Sequence, residues 1–248
     1  MLKHLIGLIS GMTCIFFATC HANPAVLKTP AQDHKLIQNC EIDLAKLNQI
    51  IPDSYPEVYN INPLLPFDPH GWFRHASNFK QSFATTRIKI AIEVGSWLGK
   101  SARFIANHLP EGSILLAIDT WRGSEEHQAE ARCFHMPIDQ LFAQFLSNVV
   151  HANLQNKIIP IRMPSIEAAA RLADLNFKAD FIYIDAAHDY ESVTQDLCAW
   201  YPYLNKGGVF CGDDWKWPGV SRAVKDFAKD NHLNITVTNT TGWVLSEL

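Results

Sequence analysis

From residue 89 onward, short apolar and β-branched runs alternate with stretches in which apolar residues recur at helical spacing. The runs are 89–95 (KIAIEVG), 113–119 (SILLAID), 157–163 (KIIPIRM), 179–186 (ADFIYIDA) and 207–213 (GGVFCGD). Runs this apolar suit strands buried on both faces of a sheet. Helical patterns follow the first four, at 99–109, 137–152, 165–174 and 190–204, and another covers 219–232. Strand–helix alternation at this spacing predicts right-handed βαβ units and a parallel sheet. The last stretch, 234–248 (NITVTNTTGWVLSEL), reads as two strands of a hairpin around 239–242. The expected class is therefore α/β, a Rossmann-like sheet with helices on both faces. No internal repeat or low-complexity tract interrupts it.

Ahead of this block the pattern changes. Residues 31–51 carry Leu36, Ile37, Leu44, Leu47 and Ile51 on one helical face, and Pro52 stops the helix. Residues 52–74 hold Pro52, Pro56, Pro63, Pro66 and Pro69 among several aromatics and read as irregular. The HGWFRH segment at 70–75 either packs on the fold or covers its ligand site. Residues 23–30 form a polar linker. Residues 1–22 have Lys3, an uncharged apolar run at 5–18 and a small-residue end at Ala22. That is the layout of a signal peptide, too short for a comfortable membrane span, with a retained anchor or a misassigned start as alternatives. A cleaved leader implies an exported protein, periplasmic or secreted. An uncleaved one ties the chain to a membrane through that segment alone.

Composition narrows the picture. With 248 residues, 48% of them hydrophobic, the chain can bury one sizeable core at 89–248 behind an extension at 23–88. A net charge of -4 without a basic run gives no footing for nucleic-acid binding. Beyond the leader, Cys40, Cys133, Cys198 and Cys211 lack zinc-type spacing, and Cys198 and Cys211 read as buried core residues.

Chemistry is expected at the carboxyl ends of the strands, where open α/β sheets bind ligands. The first strand runs into Gly95 and Gly99 of a GSWLG turn, followed by a helix whose free N–H groups face the turn. The second ends at Asp119, placed either to accept both hydroxyls of a ribose or to cap the next segment; Trp121 beyond it could cover a flat ring. Asp185, Asp213 and Asp214 end the fourth and fifth strands. Converging carboxylates raise one another's pKa unless a cation such as Mg²⁺ or Mn²⁺ neutralises them. Against that reading, one of the adjacent pair caps a helix or faces solvent. His188 is a candidate general base or a structural imidazole. The GSWLG turn lacks the G-x-G-x-x-G spacing of a pyrophosphate site, which argues against a nicotinamide-dependent oxidoreductase.

Three segments, IEVGSWLGKSARFIA (92–106), LLAIDTW (115–121) and 181–215 with its IDAAHDY and GGVFCGDD motifs, together resemble the class I S-adenosylmethionine-dependent methyltransferases. The branch is the one related to cephalosporin hydroxylase and the macrocin-type O-methyltransferases. The resemblance implies a sheet of six parallel strands plus one antiparallel strand. It implies Glu93, Gly95, Ser96, Gly99 and Ser101 around the methionine part of the cofactor, Asp119 on the ribose, and Trp121 and Ser165 near the adenine. It further implies Mg²⁺ on Asp185, Asp213 and Asp214, and methylation of a small-molecule hydroxyl; in metal-assisted methylation Asp185 would help hold that hydroxyl and a nearby base such as His188 would take its proton. The chain departs from the pattern at Ala186, where glycine is common, and at Ala187 and His188, where a second aspartate stands in the sugar O-methyltransferases. That departure, with the leader, keeps an exported non-catalytic binding domain as the alternative.

Overall fold

The computed structural model describes residues 42–123 and 136–247. The leader, the linker, the front of the 31–51 helix, Cys40 and Cys133 lie outside the described residues. Seven strands are present: β1 (Ile90–Val94), β2 (Ile114–Asp119), β3 (Ile158–Arg162), β4 (Ala179–Ile184), β5 (Leu204–Gly212), β6 (Leu233–Thr238) and β7 (Gly242–Glu247). They form one sheet in the order β3-β2-β1-β4-β5-β7-β6. β1 to β5 pair in parallel, β7 runs antiparallel to both β5 and β6, and the expected six-plus-one arrangement is obtained. Every residue of β1 is buried, which explains its apolar run, broken only by Glu93.

The described helices are α1 (Leu44–Ile50), α2 (Ala76–Thr85), α3 (Lys100–His108), α4 (Leu141–His151), α5 (Ser165–Leu172), α6 (Tyr190–Trp200) and α7 (Pro218–Asp230). Local chemistry sets several boundaries. Asp189 caps α6 by accepting from the Ser192 N–H at 2.9 Å, and Pro218 opens α7, where its missing N–H costs nothing. Among the described residues no helix is long and apolar enough to cross a membrane.

Three differences from the sequence reading have physical causes. α2 was not anticipated because only Phe79 and Phe83 mark its apolar face. Those two rings pack on Phe181 and Tyr183 of β4, with centroids 4.9–5.1 Å apart, and tertiary contact supplies what the pattern lacks. β5 begins at Leu204 and not at 207, pairing through a register shift opposite Ala179 and Phe181. Cys211 is buried as expected, but Cys198 is exposed on α6.

β1 is the topological hinge of the sheet. Its neighbours β2 and β4 are reached by chain leaving in opposite directions, so a crevice opens beyond its carboxyl end.

Candidate active site

The floor of that crevice is the GSWLG turn. Gly95 has φ +92°, and a Cβ there would lie 1.9 Å from the Asp185 carbonyl oxygen. The absent side chain thus first lets the β1 and β4 loops touch. Gly99 caps α3 with φ +77°, and its Cβ would press the Phe145 ring at 2.9 Å. Between them Trp97 holds a left-handed backbone, φ +47°, a strain found mainly where function requires it. Its N–H donates to Asp119 Oδ2 at 2.8 Å, while the Trp121 N–H donates to Oδ1 at 2.7 Å. Burial pushes the Asp119 carboxyl above its ordinary pKa, and these backbone donors oppose the shift. Beneath the turn, Glu93 is fully buried and neither carboxylate oxygen has a hydrogen-bond partner. Burial raises its pKa to about 7; the Ser101 and Ser96 hydroxyls approach and pull the other way without closing an aligned hydrogen bond.

Two cavities meet over this turn. The smaller, about 200 Å³, is lined by Asp119, Thr120, Ser165 and Ala187. The larger, about 350 Å³, is lined by Ser101, His188, Asp213, Asp214 and Trp217. Gly95, Trp97, Asp185 and Ala186 line both, so they form one continuous crevice.

On the larger side the carboxylates are already partnered. His75 Nε2 lies 2.8 Å from Asp213 Oδ1, and His188 Nε2 lies 2.9 Å from Asp214 Oδ2. The Tyr183 hydroxyl donates to Asp185 at 3.0 Å. Burial and the neighbouring Asp213 and Asp214 carboxylates push Asp185 well above the usual range. Burial alone would raise Asp213 too, but His75, the Asp214 N–H and the Thr241 hydroxyl hold it below its ordinary value. Asp214 itself has φ +61°, a second left-handed residue in the crevice. The His188 ring stacks on Trp217, 11° from parallel with centroids 4.6 Å apart.

Comparison with known families adds the decisive observation: a family model described as a methyltransferase domain matches residues 92–215, half of the chain. The chain belongs to that methyltransferase family. The class I S-adenosylmethionine-dependent methyltransferase resemblance seen in the sequence therefore holds. Comparison with curated proteins gave no match. Among solved structures, the chain is similar to an O-methyltransferase from Bacillus cereus in complex with S-adenosylhomocysteine, at 17% identity and TM-score 0.52, covering 81% of this chain and 89% of that one. It is similar to the O-methyltransferase TomG from Streptomyces achromogenes, in complex with S-adenosylmethionine, at 13% identity and TM-score 0.51, covering 83% and 89%. It is also similar to precorrin 8W decarboxylase from Methanobacterium thermoautotrophicum, at 12% identity and TM-score 0.52, covering 73% and 95%. Identities this low report the shared fold, and one scaffold hosts several reactions.

The methyltransferase crevice suits the family's cofactor. A carboxylate ends β2 at one side, a buried acid without hydrogen-bond partners sits under the turn, and the two cavities join around Trp97. The expected residues Gly95, Ser96, Ser101, Asp119, Ser165 and His188 all line the crevice. Glu93 and Gly99 lie beneath it as supports. Trp121 needs correction: it is 1% exposed, wedged against Phe142 and Phe145 with its indole N–H on the Trp97 carbonyl, and lines neither cavity. The Ser165 hydroxyl is shared with Asp196 and Trp200. For Mg²⁺, the carboxylates are of the right kind and line one cavity, but they do not fit as a cage. Two imidazoles and a phenol take them individually, and among the described residues no group of three or more His, Cys, Asp or Glu has metal-holding geometry. Sequence reasoning missed Trp72, His75, Lys100 and Trp217. Only the HGWFRH segment signalled the first two, and it left packing and covering undecided.

Proposed function

We propose that this chain is an S-adenosylmethionine-dependent O-methyltransferase acting on a hydroxyl of a small molecule, with His188 as general base. The observation that carries this reading is the junction of the two cavities, with Asp119 on one side and the His188–Asp214 pair on the other.

Bound S-adenosylmethionine supplies an electrophilic methyl group. Asp119 and the turn 95–99 would hold its adenosine and methionine portions. The work left to the chain is positioning and one proton transfer. Asp214 takes the Nε2–H of His188, which fixes the tautomer and makes Nδ1 the accepting nitrogen. Trp217 stacked on the ring limits its rotation. An acceptor hydroxyl in the larger cavity would pass its proton to His188 as its oxygen takes the methyl group, whose bond to sulfur breaks to leave S-adenosylhomocysteine. General-base assistance of this kind is worth about 10²–10⁴-fold, and alignment of the reacting atoms supplies more. Asp185 lines both cavities, and burial together with the Asp213 and Asp214 carboxylates raises its affinity for a proton. Magnesium, which the sequence resemblance implies, has no step here, because His75, His188 and the Tyr183 hydroxyl each contact one of the carboxylates it would use.

The test is transfer of labelled methyl from S-adenosylmethionine to a panel of hydroxylated small molecules. Asp119→Ala should abolish transfer by removing cofactor binding. His188→Ala should keep that binding and lose about 10²–10⁴-fold in turnover. Undiminished transfer by His188→Ala would refute its role as base.

A further inference from the structure

The larger cavity has a wall that the methyltransferase domain itself does not provide. Residues 64–75 cross over the crevice as a strap held at both ends. On the α4 side, the Leu65 N–H donates to Ser147 Oγ at 3.1 Å, the Asp68 N–H to Asn148 Oδ1 at 2.9 Å, and Gln144 Nε2 to the Pro66 carbonyl at 2.8 Å. On the other side, Lys100 Nζ donates to the Gly71 carbonyl at 2.7 Å, and buried His75 meets Asp213 at 2.8 Å. Trp72 therefore sits on fixed backbone and still exposes 53% of its surface.

Trp217 is built the same way. It caps α7, its N–H donates to the Asp214 carbonyl at 2.8 Å, Pro218 follows it, and 45% of its surface is exposed. Trp121, Trp200 and Trp243, by contrast, are buried in the core. The two tryptophans that remain highly exposed both line the cavity containing His188. Rigid, exposed rings flanking a polar floor are preorganised to bind something flat with polar edges, since no ordering cost is left to meet.

We infer that Trp72 and Trp217 are the specificity-determining residues for the acceptor, and that the acceptor is a planar ring carrying the hydroxyl to be methylated. This rests on the methyltransferase reading above and adds the substrate class. The ring faces meet the indoles, and the hydroxyl edge turns to His188 and the carboxylate floor. Trp217, stacked on His188, sets the depth of the ring against the base. The strap thus reads acceptor shape while the sheet ends hold the cofactor.

The experiment is calorimetry on the full-length protein with S-adenosylhomocysteine present, titrating 3,4-dihydroxybenzoate and caffeate as planar probes and glucose and inositol as saturated ones. The planar probes should bind and the saturated ones should not. Trp72→Leu and Trp217→Leu should each weaken planar binding about tenfold, with Trp72→Phe restoring most of it, while S-adenosylhomocysteine affinity stays unchanged. Tighter binding of a saturated probe, no binding of either planar probe, or planar binding indifferent to both leucine variants would overturn the inference. Failure of the unmodified protein to bind S-adenosylhomocysteine would overturn the methyltransferase reading beneath it, a result read independently of the probes.

Discussion

Asp213 and Asp214 are consecutive, and each faces an imidazole at nearly the same distance, yet the two pairs do different work. In the His75–Asp213 pair the side chains are 2% and 12% exposed; in the His188–Asp214 pair they are 17% and 32% exposed. The first pair is the more deeply buried, between the strap and the sheet, with only Asp213 reaching the cavity wall. Its Asp213 carboxyl is held below its ordinary pKa, and its energetic role is to pin residues 64–75 across the crevice. The second lines the cavity, so its imidazole can meet a ligand. Burial, not residue identity, separates an anchor from a candidate base.

The sharpest way to break this comparison is to neutralise each pair in turn. Asp214→Asn keeps a residue that tolerates the left-handed backbone and removes the charge that orients His188. Turnover should fall about 10²–10⁴-fold while urea unfolding is nearly unchanged. A loss of stability with no loss of turnover would reverse the two assignments. His75→Ala should do the opposite at the bench. Leaving Asp213 buried without its partner should cost about 3 kcal/mol in urea unfolding, and the effect on cofactor affinity should be small.

A third carboxylate sharpens the contrast because no imidazole reaches it. Asp196 is buried against the Ser165 hydroxyl, and burial raises its pKa to about 6, with that hydroxyl opposing the shift. A carboxyl raised in the folded state favours folding while protonated. Its contribution is complete below the unfolded pKa near 4 and is lost as pH rises to about 6. Asp196→Asn removes this loss, so at pH 7 the variant should be more stable than the parent by about 2–3 kcal/mol. The two urea midpoints should converge as the pH is lowered toward 4. A constant gap across that range would show that Asp196 does not titrate as described. The smallest effect concerns magnesium. After chelator treatment, adding Mg²⁺ should change turnover by no more than about twofold, since imidazoles and a phenol already contact the carboxylates one by one. A large activation would restore the cation that the resemblance implies.

The two halves of the crevice were unequally legible in the sequence. Apolar runs that stop at a polar residue mark strand ends, and Asp119, Asp185 and Asp213 could be placed from that signal alone. Gly95 and Gly99 were visible as a turn, although their close contacts are with Asp185 and Phe145 of the same chain. The burial of Trp121 is announced by no hydrophobic pattern: just past β2 its backbone takes φ +49° and its ring packs on Phe142 and Phe145. The acceptor half was nearly silent. Trp72 and His75 sit in a proline-interrupted stretch without periodicity, and their roles exist through contacts of Trp72 with Trp97 and of His75 with Asp213, distant in sequence. Trp217, just ahead of Pro218, carries no sequence signal for its stacking on His188.

The most direct test of the central claim is calorimetric titration of S-adenosylhomocysteine into the full-length protein and its Asp119→Ala and His188→Ala variants. The account predicts micromolar binding to the parent and to His188→Ala, and none to Asp119→Ala. No binding to the parent, or equal binding to Asp119→Ala, would contradict it.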